Sequence, residues 1–223
     1  LDLVEQAGGY TETAYPFGGV LENLDTEKIN EMAISELYTA FLNSISSNYS
    51  GTQDSSISGI IDIMKELKET PVSGRVSAEF NLEKLKSNPE LDIKLQDGDE
   101  ITIPEMLDHV YIYGEVSSQG TVKFQENKDY KHYIDLKGGY AQNADDRAVF
   151  VLQPNGETIR VNNARNIFMS QGKNKIDIYP GSVIFVPRKT GNALVATQAA
   201  QAYAAILGNI GVSLASLSVL KDW

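Results

Sequence analysis

Cysteine is absent from the 223-residue chain, and histidine occurs only twice. Without cysteine there is no disulfide framework, no thiol nucleophile and no cysteine-ligated metal. His109 and His132 do not stand in a His-x-x-x-His or His-Glu-x-x-His spacing, so they form no zinc motif. Phosphate-binding loops of the G-x-x-x-x-G-K-[ST] and G-x-G-x-x-G types are also missing. We therefore predict no metal site, no cofactor and no catalytic residues.

Positive charge is scarce. The chain has 19 lysine and arginine residues against 30 aspartate and glutamate residues, a formal net charge of −11. Nucleic-acid binding depends on neutralising phosphates with basic side chains, so this balance argues against a nucleic-acid partner. A hydrophobic content of 42% with 22% charged residues is typical of a globular protein.

The chain contains an internal repeat. Gly8-Gly9-Tyr10 recurs as Gly138-Gly139-Tyr140, and Asp97–Pro104 recurs as Pro180–Pro187. The first pair is separated by 130 residues and the second by 83, so the first copy carries about 47 additional residues, between 25 and 72. Two tandem modules of one type, the first interrupted, are the simplest interpretation.

The second copy has the clearer pattern of elements. Its strands alternate with turn residues, and its helix, Asp129–Lys137, ends at the glycine pair. The predicted strands are Val110–Tyr113, Thr121–Phe124, Ala148–Leu152, Glu157–Val161, Ile176–Ile178 and Val183–Val186, with a short helix at 163–170. A hairpin, a helix and then further strands is the β-grasp order, an α+β fold. The first copy starts with a helical turn at Leu1–Ala7 and shows no hairpin, so we expect a fragment of a longer protein or strands supplied from elsewhere.

The insertion in the first copy predicts a helical hairpin. Its first helix begins at Thr26, the candidate hydroxyl N-cap, with apolar residues every three or four positions. A polar loop at Ser44–Ser58 and a second helix at Ile57–Glu69 follow. We interpret this hairpin as a helix pair packed on the first module; a partner-binding surface is the alternative.

The tail, from Thr190 to Leu220, has no charged residue. As a helix, Ala193–Leu220 would span roughly 42 Å, more than a hydrocarbon core of about 30 Å. One face is polar because it carries Gln198, Gln201, Asn209, Ser213 and Ser216, and Lys221 and Trp223 suit a membrane interface. Several copies around a water-filled lumen would keep the polar face out of lipid. We predict a membrane-inserted homo-oligomeric helix; burial against the soluble body or a partner chain is the alternative.

These patterns together resemble a known family. The chain resembles the C-terminal part of a Wza-type outer-membrane polysaccharide export protein, and its modules resemble SLBB (soluble-ligand-binding β-grasp) domains. The segments that carry the resemblance are Asp2–Glu12, Gly74–Val76, Leu95–Pro104, Val110–Val116, Gly120–Val122, Tyr133–Tyr140 and Pro180–Pro187, just before the uncharged tail. The predicted divisions are 1–106 for the first module, 107–189 for the second and 190–223 for the C-terminal helix.

The resemblance implies a non-enzymatic component of bacterial capsule or exopolysaccharide export. In that family a ring of subunits forms a periplasmic channel and the terminal helices form an outer-membrane barrel, with the polar tail residues as pore lining. Homo-oligomerisation, a polysaccharide ligand and an inner-membrane polysaccharide co-polymerase as partner follow by resemblance. The family's N-terminal export domain and lipid-anchored cysteine are absent here, and the insertion is foreign to the minimal module. A soluble periplasmic glycan-binding or adaptor module, with its tail docked on a partner, is the alternative.

Candidate ligand contacts are the turn tyrosines Tyr10 and Tyr140, which follow flexible glycines and could stack on sugar rings. The alternative is that each tyrosine packs under its own module. Asp97-Gly98-Asp99-Glu100 lacks calcium-loop spacing and predicts an acidic turn that enters a strand. A polysaccharide-modifying hydrolase is the third interpretation, although the many acidic residues single out no catalytic pair.

Overall fold

A computed structural model describes residues 1–48, 65, 72–161 and 176–189. These residues form two β-sheets with connecting helices. The helices are α1 (Asp2–Gln6), α2 (Leu24–Asn48), α3 (Leu82–Ser87) and α4 (Tyr130–Leu136). Single 3-10 turns lie at Pro16–Gly18 and Pro89–Leu91. The predicted α+β class is confirmed.

The first sheet has three antiparallel strands, β1 (Val20–Glu22), β2 (Arg75–Val76) and β3 (Glu100–Thr102), in the order β2-β1-β3. Leu21 of the central strand is 2% exposed. Phe80 and Leu85, from the α3 segment, are the other large buried side chains of this half. A small core therefore supports the first sheet.

The second sheet has five strands. In chain order they are β4 (His109–Gly114), β5 (Gly120–Lys123), β6 (Phe150–Leu152), β7 (Thr158–Arg160) and β8 (Val183–Val186). In the sheet they lie in the order β5-β4-β8-β6-β7. Only β4 and β8 run parallel. Helix α4 packs on the sheet and buries Tyr130, Tyr133 and Ile134. The core of this half combines residues from β4, β6, β8 and α4.

The sequence repeat is also a structural repeat. Leu21 of β1 pairs with Ile101 on one side and Val76 on the other. Val151 of β6, 130 residues later, pairs with Ile184 and Ile159, each 83 residues after its counterpart. The flanking backbone bonds repeat as well: Tyr15 N–H donates to Pro104 at 2.7 Å, and Asp145 N–H donates to Pro187 at 2.8 Å. The β-grasp assignment and the module boundaries stay predictions.

Three local predictions are wrong. Helix α2 begins at Leu24, because the Asn23 side-chain oxygen accepts bonds from the Asp25 and Thr26 amides at 3.0 Å; the cap is Asn23 and not Thr26. The predicted loop at 44–58 starts too early, since α2 continues to Asn48. Residues 176–178 do not form a strand. Instead, the Asp177 carbonyl accepts a hydrogen bond from the Gln153 side-chain amide at 2.7 Å.

Several predictions lie outside the described residues. They are the second helix of the insertion apart from Lys65, the short helix at 163–170, and the whole C-terminal segment 190–223 with its polar face and its interface residues Lys221 and Trp223. Within the described ranges, no helix combines the length and apolar character needed to cross a membrane.

Candidate functional site: two glycine turns and the junction between the sheets

The two Gly-Gly-Tyr segments, here called the glycine turns, end α1 and α4 in the same way. The amide of the second glycine donates to the carbonyl five residues earlier, Val4 at 2.9 Å and Ile134 at 3.0 Å. All four glycines have φ between +83° and +93°, the left-handed region that favours glycine. This is the Schellman helix end. The prediction that both glycine pairs terminate helices is confirmed.

The turn tyrosines are both half-buried. The Tyr10 hydroxyl donates to the Phe80 carbonyl at 2.7 Å, and burial followed by the nearby Glu79 carboxylate raises its pKa. Tyr140 packs against the core of the second sheet, and its hydroxyl oxygen is buried without a hydrogen-bond partner among the described residues. Burial, then Tyr130 and three carboxylates, raise the pKa of Tyr140. These contacts fit the packing alternative; a sugar contact stays a prediction.

An arginine joins the two sheets. Arg75 Nη2 donates to the carbonyl of Gly19 at 3.3 Å and to that of Pro154 at 2.9 Å, one from each half. A Cβ at Gly156 would lie 2.7 Å from Arg75 Cζ, so the glycine of the predicted Asn-Gly turn leaves room for the guanidinium. Burial lowers the pKa of Arg75, although the Glu22 carboxylate acts in the opposite direction. Arg75 is therefore a charged group held at the junction.

Aromatic contacts hold the other side of the junction. Phe17 and Tyr179 lie with ring centroids 4.4 Å apart, and Tyr15 lies 6.0 Å from Phe17. The Tyr15 hydroxyl is buried with no hydrogen-bond partner in the described ranges. Burial, with a smaller effect from Tyr179, raises the pKa of Tyr15 to about 12. The two halves thus meet through both a polar and an aromatic contact.

A polar cleft of about 320 Å³ opens beside Arg75. Its wall consists of Arg75, Ser77, Asn155, Gly156 and Glu157. Guanidinium, hydroxyl, amide and carboxylate groups are the donors and acceptors that a sugar's hydroxyls can pair with. No local sequence pattern predicts this cleft. The Asn-Gly turn was recognisable, but an arginine 79 residues before its partner gives no local spacing signal.

The two histidines lie on different elements. His109 opens β4 and lies 2.9 Å from Asp108, and His132 on α4 lies 3.2 Å from the Gln125 side chain. In the part of the chain that the structure describes, no group of three or more metal-ligating side chains comes together.

Comparison with known proteins finds a family similarity in most of the second sheet. The SLBB domain model matches residues 109–162, which contain β4 to β7 and α4. Two Escherichia coli proteins, each named polysialic acid transport protein KpsD, are 30% identical to the chain over 88 residues. The match covers 40% of this chain and 15% of each relative. The resemblance stated from the sequence is confirmed: residues 109–162 match the SLBB domain model, and the chain is similar to polysaccharide transport proteins.

Proposed function

We propose that the chain is a non-enzymatic component of bacterial polysaccharide export across the outer membrane. In this proposal the two modules lie in the periplasm, where they contact neighbouring subunits of a ring or the glycan, and the C-terminal segment oligomerises in the outer membrane. An inner-membrane polysaccharide co-polymerase is the expected partner. A non-enzymatic role accords with the similarity to transport proteins.

The observation that carries the proposal is the agreement of two independent comparisons. The SLBB match and the similarity to polysialic acid transport proteins support an envelope role in handling polysaccharide. The structure adds a repeat of the same strand register in the two sheets, which supports a tandem binding or scaffolding role. Such tandem modules suit contacts that extend along a polymer or around a ring.

Glycan contact is proposed at three places in the chain. Tyr10 and Tyr140 could offer ring edges at the glycine turns, while the Arg75 cleft offers directed hydrogen bonds. At the net charge of −11, a polyanionic glycan meets general repulsion, so a local cation is the natural contact for an acidic sugar. Arg75 is the best placed of the described cations because it borders a cleft.

The experiment is a gene deletion in the source bacterium, with surface polysaccharide measured by antibody or by extraction. We expect loss of surface polymer and its retention inside the cell, restored by the wild-type gene. Complementation with Gly114→Val should fail, because a Cβ at Gly114 would meet the Val186 carbonyl oxygen. The exposed Ser118→Ala, in the same hairpin turn, is the matched control and should restore export. Unchanged surface polysaccharide after deletion contradicts the proposal.

A second experiment separates export from the soluble-adaptor alternative. Deletion of residues 191–223 removes the uncharged tail. The export proposal predicts loss of the protein from the membrane fraction and loss of a ring-like oligomer in detergent. The adaptor alternative predicts unchanged localisation. Single Gln198→Leu or Asn209→Leu variants should lower export with the protein still in the membrane, if the polar face lines a pore.

A further inference from the structure

Arg75 carries a positive charge that forms no ion pair in the part of the chain that the structure describes. Its Nη2 atom donates to two neutral carbonyl oxygens, those of Gly19 and Pro154. Its Nη1 atom is buried and has no hydrogen-bond partner among the described residues. Burial lowers the pKa of Arg75, and the Glu22 carboxylate, which acts in the opposite direction, accepts its own hydrogen bond from the Ser73 hydroxyl at 3.1 Å. A buried charge without a partner is costly, so this guanidinium lacks both an acceptor and a counter-charge.

The strand register that the two sheets share does not require this arginine. Glu22 of β1 pairs with Arg75 of β2, and the counterpart pair in the second sheet is Leu152 with Thr158. The same register therefore forms with an uncharged residue at the position of Arg75. The feature that only the arginine has beside it is the polar cleft at the junction.

The cleft beside Arg75 takes its walls from both halves. Arg75 and Ser77 belong to the first half, and Asn155, Gly156 and Glu157 belong to the second. Its volume of about 320 Å³ lies at the lower end of the range of small-molecule sites, roughly 300–1,000 Å³. A ligand that touches both walls can bind only while the two halves are docked against each other.

The walls of the cleft carry polar groups that are free to bind a ligand. The Asn155 side-chain oxygen accepts from the Glu157 amide at 3.0 Å, which leaves the Asn155 side-chain nitrogen as a donor. Within the described ranges, the side chains of Ser77 and Glu157 form no hydrogen bond. Donors on Arg75, Asn155 and Ser77 therefore surround one cleft, and Glu157 is the one carboxylate among its described wall residues.

We propose that this cleft binds the carboxylate of an acidic sugar unit, and that the bound sugar fastens the two halves of the chain together. The carboxylate supplies the acceptor and the counter-charge that Arg75 lacks, in a charge-assisted hydrogen bond. Asn155 and Ser77 are placed to bind hydroxyl groups of the same sugar. This site rests on the proposed function, which supplies a polysaccharide as the source of the sugar.

The buried position of Nη1 links binding to the fit between the two halves. A Cβ at Gly156 would lie 2.7 Å from Arg75 Cζ, so the turn that contains Gly156 packs closely on the guanidinium. The acid group reaches Nη1 only when this turn moves slightly, while Arg75 stays bonded across the junction. Because the sugar binds the docked halves and not the separated ones, it stabilises their docking by mass action.

Glu157 should set the selectivity of the cleft. Its carboxylate is exposed in the wall and repels a second negative charge on the ligand. A sugar with one carboxylate directed at Arg75 fits this arrangement, whereas a phosphate group, which carries more negative charge, is disfavoured.

The test compares two probes that differ in charge. The full chain is titrated by calorimetry with oligogalacturonate and with its methyl ester, which keeps the sugar rings but not the negative charges, and inorganic phosphate is the third probe. Arg75→Met removes the cation, Glu157→Gln removes the carboxylate of the wall, and the exposed Arg160→Met on β7 is the matched control. Hydrogen exchange then follows two peptides: 154–157, which lines the cleft, and 15–19, which meets the second half through Phe17.

We expect wild type to bind the acidic oligomer roughly tenfold or more tightly than the methyl ester, with this preference lost in Arg75→Met and kept in Arg160→Met. Glu157→Gln should tighten the acidic oligomer roughly two- to threefold. The acidic oligomer should also slow exchange in both peptides, including 15–19, which does not line the cleft.

Equal affinity of wild type for the two oligomers, or tighter binding of phosphate than of the acidic oligomer, overturns the acidic-sugar site. Slower exchange in 154–157 alone overturns the link to docking. Equal affinity for the two oligomers together with loss of surface polysaccharide in the gene deletion would remove this site and leave the export function standing. Selective binding of the acidic oligomer with unchanged surface polysaccharide would keep the site and remove the export function.

Discussion

The two sheets share one hydrogen-bond plan but differ in what covers it. Around β6 and β8, residues from three strands and α4 enclose a continuous core, and β8 is buried throughout. In the first half Leu21, Phe80 and Leu85 are buried, but β3 stays largely exposed. A backbone register can therefore be repeated while the enclosing layers differ. The stability of each half depends on the layers that cover its sheet, because burial of apolar surface supplies most of the favourable free energy of folding.

The difference also separates two roles. The second half has the closed core that an independently stable unit needs, and it is the half that the SLBB model matches. The first half presents a half-covered sheet edge and an exposed helix to whatever packs there. Arg75 and the Phe17–Tyr179 contact connect the two.

The largest expected effect is a core truncation at equivalent positions. Ile184→Ala should lower the free energy of unfolding by about 3–4 kcal/mol, because Ile184 is fully buried and its removal leaves a cavity. Ile101→Ala should cost only about 1 kcal/mol, since Ile101 is half-buried. Urea denaturation followed by far-UV circular dichroism measures both. Equal costs would show that the first sheet is as well covered as the second.

The junction should give the next largest effect. Arg75→Met removes the bonds to the Gly19 and Pro154 carbonyls and keeps much of the side-chain volume, so we expect a loss of about 2 kcal/mol. The two halves should also unfold less cooperatively. The exposed Arg160→Met is the matched control and should change stability by less than about 0.5 kcal/mol. If Arg75→Met leaves the free energy of unfolding unchanged, the stability of the two halves does not depend on this contact.

Alanine substitution should lower stability equally at the two glycine turns, in contrast to the unequal losses expected in the two cores. A Cβ at Gly9 or Gly139 would meet nothing within 4 Å, so each substitution by alanine costs only the positive φ, about 1 kcal/mol. Thermal unfolding of Gly9→Ala and Gly139→Ala should show shifts that agree within error. A much larger shift for one of them would break the equivalence of the two turns.

The smallest effect concerns alkaline pH. Burial raises the pKa of Tyr15 to about 12, whereas an unfolded tyrosine ionises near 10. The unfolded state therefore loses its proton first. The stability contribution of Tyr15 is complete below about pH 10 and is lost as the pH rises towards 12. Tyr15→Phe should flatten the decline of the urea midpoint across this window, and Tyr140→Phe should act in the same direction because burial raises its pKa too. An unchanged slope in both variants contradicts this.

Local structure was predictable from the sequence where residues close together in the chain determine it. The glycine pairs identify helix ends, and the Asn155-Gly156 turn and the strands around it follow from alternation. The cap of α2 was misplaced because Asn23 and Thr26 are both acceptable caps, and only the backbone path selects Asn23. Residues 176–178 have strand-like composition, yet the Asp177 carbonyl accepts its hydrogen bond from the Gln153 side chain and not from a neighbouring strand. The Arg75 junction depends on contacts distant in sequence, which no local pattern contains.

Both halves follow one hydrogen-bond plan, and among the described residues only the second is enclosed. Hydrogen exchange of the full chain, read by mass spectrometry on peptides covering 183–186 and 100–103, tests it most directly. We expect β8 to exchange only through global unfolding, and β3 to exchange roughly a hundredfold faster or more through local opening. Equal protection of the two segments would contradict it.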